Sequence, residues 1–371
     1  MIRVLHSVSN MDRAGAETML MNYYRHMDRS KVQFDFLCNK KKPGAYDAEI
    51  HELGGAIYRT PSLNPLKYTH YLKYMKNVFQ NNPDYRIIET HNGALGAYAL
   101  NAAKRNHIPV RICHAHGTGI TRDLKLPLKL FCKAIIPQIV TRCFSCSETA
   151  ARYYFGKKCA REKSYVFIPN AIEIDRFVFD AQTRNRIRQN NGLEGKHILG
   201  HVGRFAPEKN HRFLLEVFAH LKRRDPLAHL VLIGDGDEME AVKQIASDLQ
   251  IREDVSFLGN IGNVNEWYQA FDAFVLPSKR EGLPVVGVEA QAADLPCIFS
   301  TGVTQEIKLL DKTYFMSLAE PAEKWAQAIY ASFKDTQRTD TRKQIAEKGY
   351  DIRVEALKLQ ELYLELAGEH S

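Results

Sequence analysis

The 371-residue sequence contains no apolar run near the roughly 18 residues that a membrane-spanning helix needs. Its amino terminus, MIRVLHSVSN, leads directly into a strand pattern without the cleavage region of a signal peptide. The seven cysteines are an odd number and lack the spacing of a disulfide framework. These absences argue against a membrane-spanning or secreted disulfide-rich protein, and they predict a cytoplasmic location.

The signatures of several other protein classes are also missing. The first β-loop-α segment lacks the GxGxxG of an NAD-dependent dehydrogenase, and the chain has no helix-turn-helix, zinc or RNA-binding signature. The CxxC formed by Cys143 and Cys146 has no second pair, so it predicts neither a metal site nor redox chemistry. Asp235-Gly236-Asp237 spells the DxD of metal-dependent transferases, but its place between a strand and a helix favours a structural turn.

Charge is distributed unevenly along the chain. Residues 1–165 contain 26 Lys and Arg against 12 Asp and Glu, whereas residues 166–371 contain 25 against 31. The positive first half predicts an anionic partner, which is nucleic acid, a phospholipid surface or a pyrophosphate-bearing acceptor. The pI of about 9.0 keeps a nucleic-acid-binding protein as the alternative from a different class.

Short apolar runs alternate with helical patterns, which predicts an α/β protein with parallel sheets. The pattern begins with a strand at Ile2–Val8, and after a polar stretch from Asp180 to Lys196 it restarts with a strand at Ile198–Val202. The chain length also favours two domains. We therefore predict two doubly wound, Rossmann-like domains at residues 1–170 and 171–350, and a helix within 351–371 that crosses back to the first domain.

Two basic residues follow the strand at Ile198–Val202. Arg204 supplies a planar fork and Lys209 a point charge at the carboxyl end of a parallel strand, a combination suited to two adjacent phosphates. Two unrelated surface cations near a turn are the simpler alternative. Asn210 is predicted to cap the helix that follows.

A second motif, EGLPVVGVE, decides between these alternatives. Pro284 is suited to the first turn of a helix, so the amides of Gly282 and Leu283 should face an anion bound before that helix. Glu281 precedes the helix and Glu289 lies about a turn and a half inside it. Carboxylates at these positions can accept hydrogen bonds from the hydroxyls of a sugar and a ribose, which favours a binding site.

The whole chain resembles glycosyltransferase family 4, which has the GT-B fold, and within it the transferases of capsule and exopolysaccharide synthesis. The E-x7-E motif together with the GR…EK loop is specific to that family. Supporting segments are MIRVLHSVSNMDRAGAETMLMNYYR, VRICHAHGTG, IPNAIEIDRF, GRFAPEKNHRFLL, LIGDGDE and VSFLGN. The resemblance implies two Rossmann-like domains with an interdomain cleft.

The resemblance also implies an activity. It predicts a retaining, metal-independent hexosyltransferase that moves a hexose or N-acetylhexosamine from a nucleotide-diphosphate sugar, by family habit UDP, to a lipid-linked saccharide. No cofactor beyond this co-substrate is expected. No pair of carboxylates suited to double displacement is identifiable, so the same-face substitution proposed for the family is expected, with the departing diphosphate helping to deprotonate the acceptor.

The resemblance assigns roles to individual residues. The donor diphosphate is assigned to Arg204, Lys209, Gly15, Gly282 and Leu283, the ribose and base to Glu289, Leu258 and Gly259, and the sugar hydroxyls to Glu281. Gly15 belongs to a loop in which many relatives have two glycines, and Ala14 replaces the first of them here.

Histidines at the end of a predicted strand are the other catalytic candidates. The resemblance places a histidine of the HAH element near the anomeric carbon, and we predict His116 first and His114 second, beside Glu281. His91 ends the preceding strand. The three histidines lack a carboxylate or cysteine at a supporting sequence spacing, so no metal site is predicted, and His91 is expected to be a core histidine.

The segment Ile120–Arg142 mixes lysines with leucines, isoleucines and a phenylalanine. Such a segment can lie on an anionic membrane surface, which predicts a peripheral position at the inner face of the plasma membrane. A core helix with lysines on its wet side is the alternative. The nearest rival function is a GT-B sugar-nucleotide 2-epimerase, and the oligomeric state is left open.

Overall fold

The computed structural model describes residues 1–119, 124–335 and 337–368. The chain divides into two compact units, and each is described by itself. Unit 1 comprises Met1–Ala171 together with Ile352–Ser371, and unit 2 comprises Ile172–Asp351.

Unit 1 alternates strands and helices. Its strands are β1 Ile2–Val8, β2 Val32–Cys38, β3 Ile57–Arg59, β4 Ile87–Thr90, β5 Val110–Ala115, β6 Arg142–Ser145 and β7 Val166–Phe167. Its helices are α1 Gly15–His26, α2 Asp47–Glu52, α3 Tyr68–Asn81, α4 Ala97–Arg105, α5 Leu126–Ile135, α6 Glu148–Arg161 and, from the end of the chain, α14 Ile352–Gly368. Helix α6 is broken at Gly156, whose φ is +92°.

Within the described residues the strands of unit 1 form one seven-stranded sheet in the order β3-β2-β1-β4-β5-β6-β7. All neighbouring strands are parallel, and His6 in β1 pairs in register with Glu89 in β4. The strand order reverses direction between β1 and β4. Open α/β sheets bind ligands at such a switch point, outside the carboxyl ends of the strands.

Apolar side chains cover both faces of the unit 1 sheet. One core forms around Val4, Phe34 and Phe36, and includes Tyr363 of helix α14. The other forms around Leu5, Ile88 and Leu100. Successive strand residues point to opposite faces, so a strand buried on both faces has adjacent apolar residues, such as Val4 and Leu5 in β1 and Ile87 and Ile88 in β4.

Unit 2 repeats the alternation. Its strands are β8 His197–Val202, β9 Ala228–Ile233, β10 Val255–Gly259, β11 Ala273–Leu276, β12 Cys297–Ser300 and β13 Thr313–Met316. Its helices are α7 Ala181–Asn190, α8 His211–Arg224, α9 Met239–Asp248, α10 Val264–Ala270, α11 Val285–Ala292, α12 Ala322–Ser332 and α13 Arg342–Glu347. In the part of the chain that is described, the sheet has six parallel strands in the order β10-β9-β8-β11-β12-β13.

The prediction of two doubly wound, parallel-sheet units is confirmed. One segment is not the polar connection that its composition suggested, because 181–190 forms helix α7. The side chain of Asp180 accepts hydrogen bonds from the amides of Gln182 and Thr183 at the start of this helix. Arg188 in this helix forms a 2.6 Å ion pair with Asp272, which directly precedes β11. This ion pair, rather than an apolar face, attaches the helix to unit 2.

Candidate active site

The carboxyl ends of the unit 2 strands bring together the loops predicted to bind a diphosphate. The switch point lies between β8 and β11, which are followed by the segments 203–210 and 277–284. The amide of Lys279 donates to the carbonyl of Glu208 at 2.8 Å, so the two segments are in direct contact. The amide of Glu281 donates to the carbonyl of Gly302, which follows β12.

Lys209 and Glu281 form an ion pair, with 2.6 Å between Nζ and Oε1, and their side chains are 20% and 18% exposed. The aliphatic part of Lys209 lies against Gly203, where an added Cβ would come within 3.3 Å of it. Arg204 is exposed and makes no hydrogen bond or ion pair to any described residue. The loop therefore presents one paired and one unpaired cation at the switch point.

Asn210 occupies the position before helix α8, as predicted, but its side chain does not cap the helix. The residue has a left-handed backbone with φ of 62° and makes no side-chain cap hydrogen bond. Its amide group instead donates to the carbonyl of Pro277 at 3.3 Å. The expected cap is wrong because this side chain connects the two loops.

Helix α11 begins directly after Gly282-Leu283-Pro284, with Pro284 at the position before its first residue. Glu289 lies inside this helix, and its Oε2 accepts a 2.9 Å hydrogen bond from the Tyr268 hydroxyl. Burial raises the pKa of Glu289 to about 7, and the Tyr268 hydrogen bond opposes that shift. Glu281 and Glu289 thus differ, because one is paired with a cation and the other is a buried carboxyl held by a phenol.

The Asp235-Gly236-Asp237 turn packs against the same loop. Gly234 has φ of +139°, and an added Cβ there would overlap the carbonyl oxygen of Gly203. The Asp235 carboxylate accepts a 2.8 Å hydrogen bond from the amide of Gly236, and both aspartates are exposed. Glu238, which precedes helix α9, makes no side-chain cap. The turn therefore packs against the backbone of Gly203 through Gly234.

Strand β10 ends with a bulge. Phe257 pairs with Leu232 and Gly259 with Ile233, so Leu258 is the extra residue. Gly259 has φ of +67°, and its carbonyl accepts the amide of Gly234 at 2.9 Å. The two residues predicted to frame a base therefore lie at the carboxyl edge of the unit 2 sheet, at its outer strand.

In unit 1 the corresponding loop follows β1 at the switch point. Helix α1 begins at Gly15, and a Cβ there would meet nothing within 4 Å. Ala14 precedes it with an extended backbone, φ −125° and ψ 168°, which any residue adopts. The missing first glycine of the motif therefore imposes no backbone strain, and α1 begins at the switch point, where the dipole of a helix start favours an anion.

Four histidines lie together near the carboxyl edge of the unit 1 sheet. His91 Nδ1 lies 2.8 Å from His116 Nε2, and His91 Nε2 lies 3.1 Å from His6 Nδ1. The rings of His114 and His116 are stacked with centroids 4.1 Å apart. His116 directly follows the last residue of β5, and it is partly exposed while His114 is buried.

The surroundings of these histidines keep them neutral. Burial lowers the pKa of His6 to about 4 and of His114 to about 3, and it lowers the pKa values of His91 and His116 well below 6.5. His91, His114 and His116 place one possible metal-ligating atom each within 4.8 Å of one another. Neutral imidazoles this close can either bind a metal ion or hydrogen-bond in a chain.

A cavity of about 400 Å³ opens in unit 1 beside this edge. Three lysines, Lys40, Lys125 and Lys129, line it together with Asn92 and Tyr154, and none of the described lining residues is acidic.

Helix α5, which carries Lys129, also exposes Leu130 by 54% and Phe131 by 63%. Arg122 of the predicted membrane segment lies outside the described residues. Among the described residues no helix is both long and apolar enough to span a membrane.

Comparison with known proteins identifies the class that this fold and these loops define. The family model "Glycosyltransferase Family 4" matches residues 13–176, and "Glycosyl transferases group 1" matches residues 183–352. The chain is 37% identical over 369 residues to the protein of Bacillus subtilis (strain 168) named as glycosyltransferase EpsF, covering 97% of this chain and 96% of that protein. The chain belongs to glycosyltransferase family 4 and has the GT-B fold.

Two further relatives are named as glycosyltransferases, and a solved structure shares the fold. The capsular polysaccharide biosynthesis glycosyltransferase CapH of Staphylococcus aureus is 24% identical, over 98% of this chain and 99% of that protein. The UDP-Gal:alpha-D-GlcNAc-diphosphoundecaprenol alpha-1,3-galactosyltransferase of Escherichia coli is 25% identical over 58% of each chain. The crystal structure of Anabaena Alr3699/HepE in complex with UDP-glucose has a TM-score of 0.80 at 17% identity, covering 98% of this chain and 100% of that one. The protein is a glycosyltransferase of polysaccharide biosynthesis.

The sequence patterns missed four residues that contact the predicted ones or each other. They are His6 beside His91, Glu89 beside His114, Tyr363 beside Glu89, and Tyr268 beside Glu289. His6 and Glu89 lie inside buried strands, where a single polar residue was indistinguishable from a satisfied core residue. Tyr363 lies on a helix 274 positions from Glu89, and Tyr268 lies on a different helix from Glu289. A polar residue within an otherwise apolar strand, at the register of the switch point, is the signal that could have found the first two.

Proposed function

We propose that the protein transfers a hexose or N-acetylhexosamine from a UDP-sugar, with retention of anomeric configuration, to a lipid-linked saccharide during polysaccharide synthesis. The observation that carries this proposal is that the loop of Arg204 and Lys209 and the start of helix α11 both lie at the switch point between β8 and β11 in unit 2. A guanidinium, an ammonium and the amides at a helix start are groups that bind a diphosphate. UDP is preferred because the structurally similar Anabaena protein binds UDP-glucose.

In this proposal the diphosphate takes the place of Glu281 as the partner of Lys209. The ion pair is partly exposed, so an incoming anion can reach Lys209 and displace the Glu281 carboxylate. Glu281 is then released to accept hydrogen bonds from sugar hydroxyls, beside the amides of Gly282 and Leu283. Glu289 accepts from the ribose, and Leu258 and Gly259 frame the base.

Unit 1 contributes the acceptor site and the groups that act on the reacting sugar. We assign His116 as the residue nearest the reacting centre, with His114 behind it and the Gly15 loop facing the phosphates. The carboxylate found beside the four histidines in the described part of the chain is that of Glu89, which is buried and accepts a 2.6 Å hydrogen bond from the Tyr363 hydroxyl, so it is not placed to form a covalent intermediate. The same-face substitution, in which the departing diphosphate accepts the proton of the acceptor, is therefore favoured over double displacement.

The lysine-lined cavity of unit 1 suits an acceptor that bears phosphate groups. Lys40, Lys125 and Lys129 would face the diphosphate that joins a saccharide to its lipid. The Escherichia coli relative acts on an acceptor of this type by its name. The basic helix α5, with exposed Leu130 and Phe131, would contact an anionic membrane surface at the cytoplasmic face.

No metal is needed in this scheme, because Arg204, Lys209 and the helix amides neutralise the leaving group. The decisive test is thermal stabilisation by a panel of nucleotide sugars, followed by transfer to a synthetic diphosphate-linked saccharide with and without EDTA. We expect stabilisation by one UDP-sugar, an axial product linkage and full activity in EDTA. Stabilisation by no nucleotide sugar would contradict the proposal, and loss of activity in EDTA would contradict its metal-free part.

The sugar-nucleotide 2-epimerase is tested in the same assay. Incubation with UDP-N-acetylglucosamine alone should yield no epimer, and slow hydrolysis at most.

Sedimentation with anionic vesicles at low and high salt tests the membrane contact. Replacement of Leu130 and Phe131 by serine should weaken vesicle binding, and equal binding of the variant and the wild type would refute the role of helix α5.

A further inference from the structure

Six polar side chains form one connected cluster at the carboxyl edge of the unit 1 sheet. We call this set, His6, Glu89, His91, His114, His116 and Tyr363, the histidine cluster. Five members come from β1, β4, β5 or the residues directly after them, but Tyr363 comes from α14, the last helix of the chain. The side chains of Glu89, His91 and His114 are only 1–2% exposed.

Glu89 is the centre of the cluster. Its Oε2 accepts a 2.6 Å hydrogen bond from the Tyr363 hydroxyl, and its Oε1 lies 2.8 Å from His114 Nδ1 and 3.4 Å from His91 Nε2. Among the described residues the Tyr363 hydroxyl has no other hydrogen-bond partner. A phenol with a carboxylate as its one partner donates, so Tyr363 fixes one oxygen of Glu89 and thereby directs the other toward the two imidazoles.

The same contacts decide which nitrogen of His116 is free. Its Nε2 is bonded to His91 Nδ1 at 2.8 Å. Its ring is stacked on His114, which is held through Nδ1 by Glu89. No described residue contacts His116 Nδ1 as a hydrogen-bond partner, and His116 is partly exposed where His114 is buried. The nitrogen left for a ligand is Nδ1.

We propose that Tyr363 is a positioning residue: together with Glu89 it orients His114 and His91, and these hold the His116 ring with Nδ1 turned toward the substrate. This inference rests on the proposed function, in which His116 acts at the reacting sugar. It extends that function to a residue of the terminal helix, 274 positions from Glu89 in the sequence.

Burial explains why such a contact should matter. The cluster lies in a low-dielectric environment, where a polar group that loses its partner moves to regain one. Burial raises the pKa of Glu89, and the Tyr363 hydrogen bond opposes that rise. Without the phenol hydroxyl, Glu89 Oε2 loses its donor, and the carboxyl can rotate away from His114 and His91. The orientation of His116 is then lost while the fold remains.

Kinetics of Tyr363→Phe, which removes one hydroxyl from a core position, test the proposal. The matched control is Tyr23→Phe, because Tyr23 is also buried in the same core and donates a 2.8 Å hydrogen bond, to the carbonyl of Pro169. We expect kcat of Tyr363→Phe to fall about 10- to 100-fold, as for a misplaced catalytic group, with donor KM within about twofold of wild type. The control should keep kcat within about twofold.

Histidine nitrogen spectra give a readout that a purely structural role would not move. In the wild type, His114 should carry its proton on Nδ1, and the signals of His91, His114 and His116 should shift in Tyr363→Phe but not in Tyr23→Phe. The signals are assigned by their loss in His91→Asn, His114→Asn and His116→Asn. Equal kcat and equal spectra for the two phenylalanine variants would overturn the proposal.

Two further results separate this inference from the others. Stoichiometric zinc in the purified protein would also overturn it, because His91 and His116 would then be metal ligands instead of hydrogen-bond partners. If the wild type transfers no sugar from any donor, the proposed function fails, but the spectra of Tyr363→Phe still decide whether Tyr363 orients the histidines.

Discussion

Units 1 and 2 have the same strand order around their switch points and opposite chemistry there. Unit 2 places Arg204, Lys209 and Glu281 at this edge, each partly or fully exposed. Unit 1 places neutral, mostly buried histidines there, organised by Glu89. The shared scaffold fixes only where a site forms, and the side chains after β1, β5, β8 and β11 determine what it binds.

The difference has a physical consequence. Exposed charges can exchange partners when a charged ligand arrives, which suits the reversible binding of a diphosphate. Buried neutral groups hold one geometry and are costly to rearrange, which suits the orientation of a reacting sugar. If this division of labour is correct, changes in unit 2 should weaken donor binding and turnover together, whereas changes in unit 1 should reduce turnover alone.

The largest effect is expected from Lys209→Ala. Loss of the ammonium removes a preorganised positive charge from the leaving diphosphate, so kcat should fall about 100- to 1000-fold. Lys243→Ala is the control, because Lys243 forms a 2.7 Å ion pair with Glu240 on the surface. Steady-state kinetics measure both variants. Near-normal turnover in Lys209→Ala would remove unit 2 from the catalytic account.

His116→Asn should reduce kcat about 100-fold and leave the dissociation constant of UDP unchanged. The exposed residue His70 provides the control His70→Asn, which should behave as wild type. Single-turnover transfer and UDP titration separate the two steps. A variant that fails to bind UDP but retains its turnover at saturation would reverse the roles given to the two units.

Gly234→Ala tests whether Gly234 supports the segment 203–210, which we propose binds the diphosphate. The new Cβ would meet the carbonyl of Gly203 in a backbone of positive φ, so the free energy of unfolding should fall by about 2–4 kcal/mol, with a loss of donor affinity. Gly192→Ala also changes a glycine of positive φ, +64°, but with nothing within 4 Å, and should cost about 1 kcal/mol. Urea denaturation measures both. Equal losses would show that the contact with Gly203 is unimportant.

The smallest expected effect is the pH dependence of Glu289. Burial raises the pKa of Glu289 from 4.5 to about 7 in the folded protein, so the fold favours the neutral acid. The stability contributed by this group is fully present below pH 4.5 and is lost as the pH rises through 7. Relative to Glu289→Gln, the wild type should lose about 1–3 kcal/mol of unfolding free energy between about pH 5 and pH 8. A constant difference in denaturant melts across that range would contradict the raised pKa.

The fold was predictable because its signals are local. The strand predicted at Ile198–Val202 and the helix predicted within 351–371 agree with β8 and α14 as observed. Helix α7 was missed because Arg188 and Asp272, rather than an apolar stripe, attach it to the sheet. Apolar periodicity does not report an ion pair between residues so far apart.

The candidate site was predictable only where motif and strand end coincide. The contact between the segments of Lys209 and Glu281 follows from the parallel order of β8 and β11. The sequence singled out His91, His114 and His116 of the histidine cluster, but the part played by Tyr363 could not be predicted, because Glu89 meets Tyr363 only through the return of the last helix to unit 1. The side-chain bond of Asn210 to Pro277 was also hidden, since Asn before a helix is ordinarily a cap.

Calorimetric titration of UDP into the wild type, Lys209→Ala and Lys243→Ala tests the central claim most directly, because it needs neither the acceptor nor the correct sugar. The account predicts that Lys209→Ala binds UDP at least about tenfold more weakly than the other two, which should bind alike. Equal affinity for all three proteins would contradict the assignment of the donor diphosphate to the switch point of unit 2.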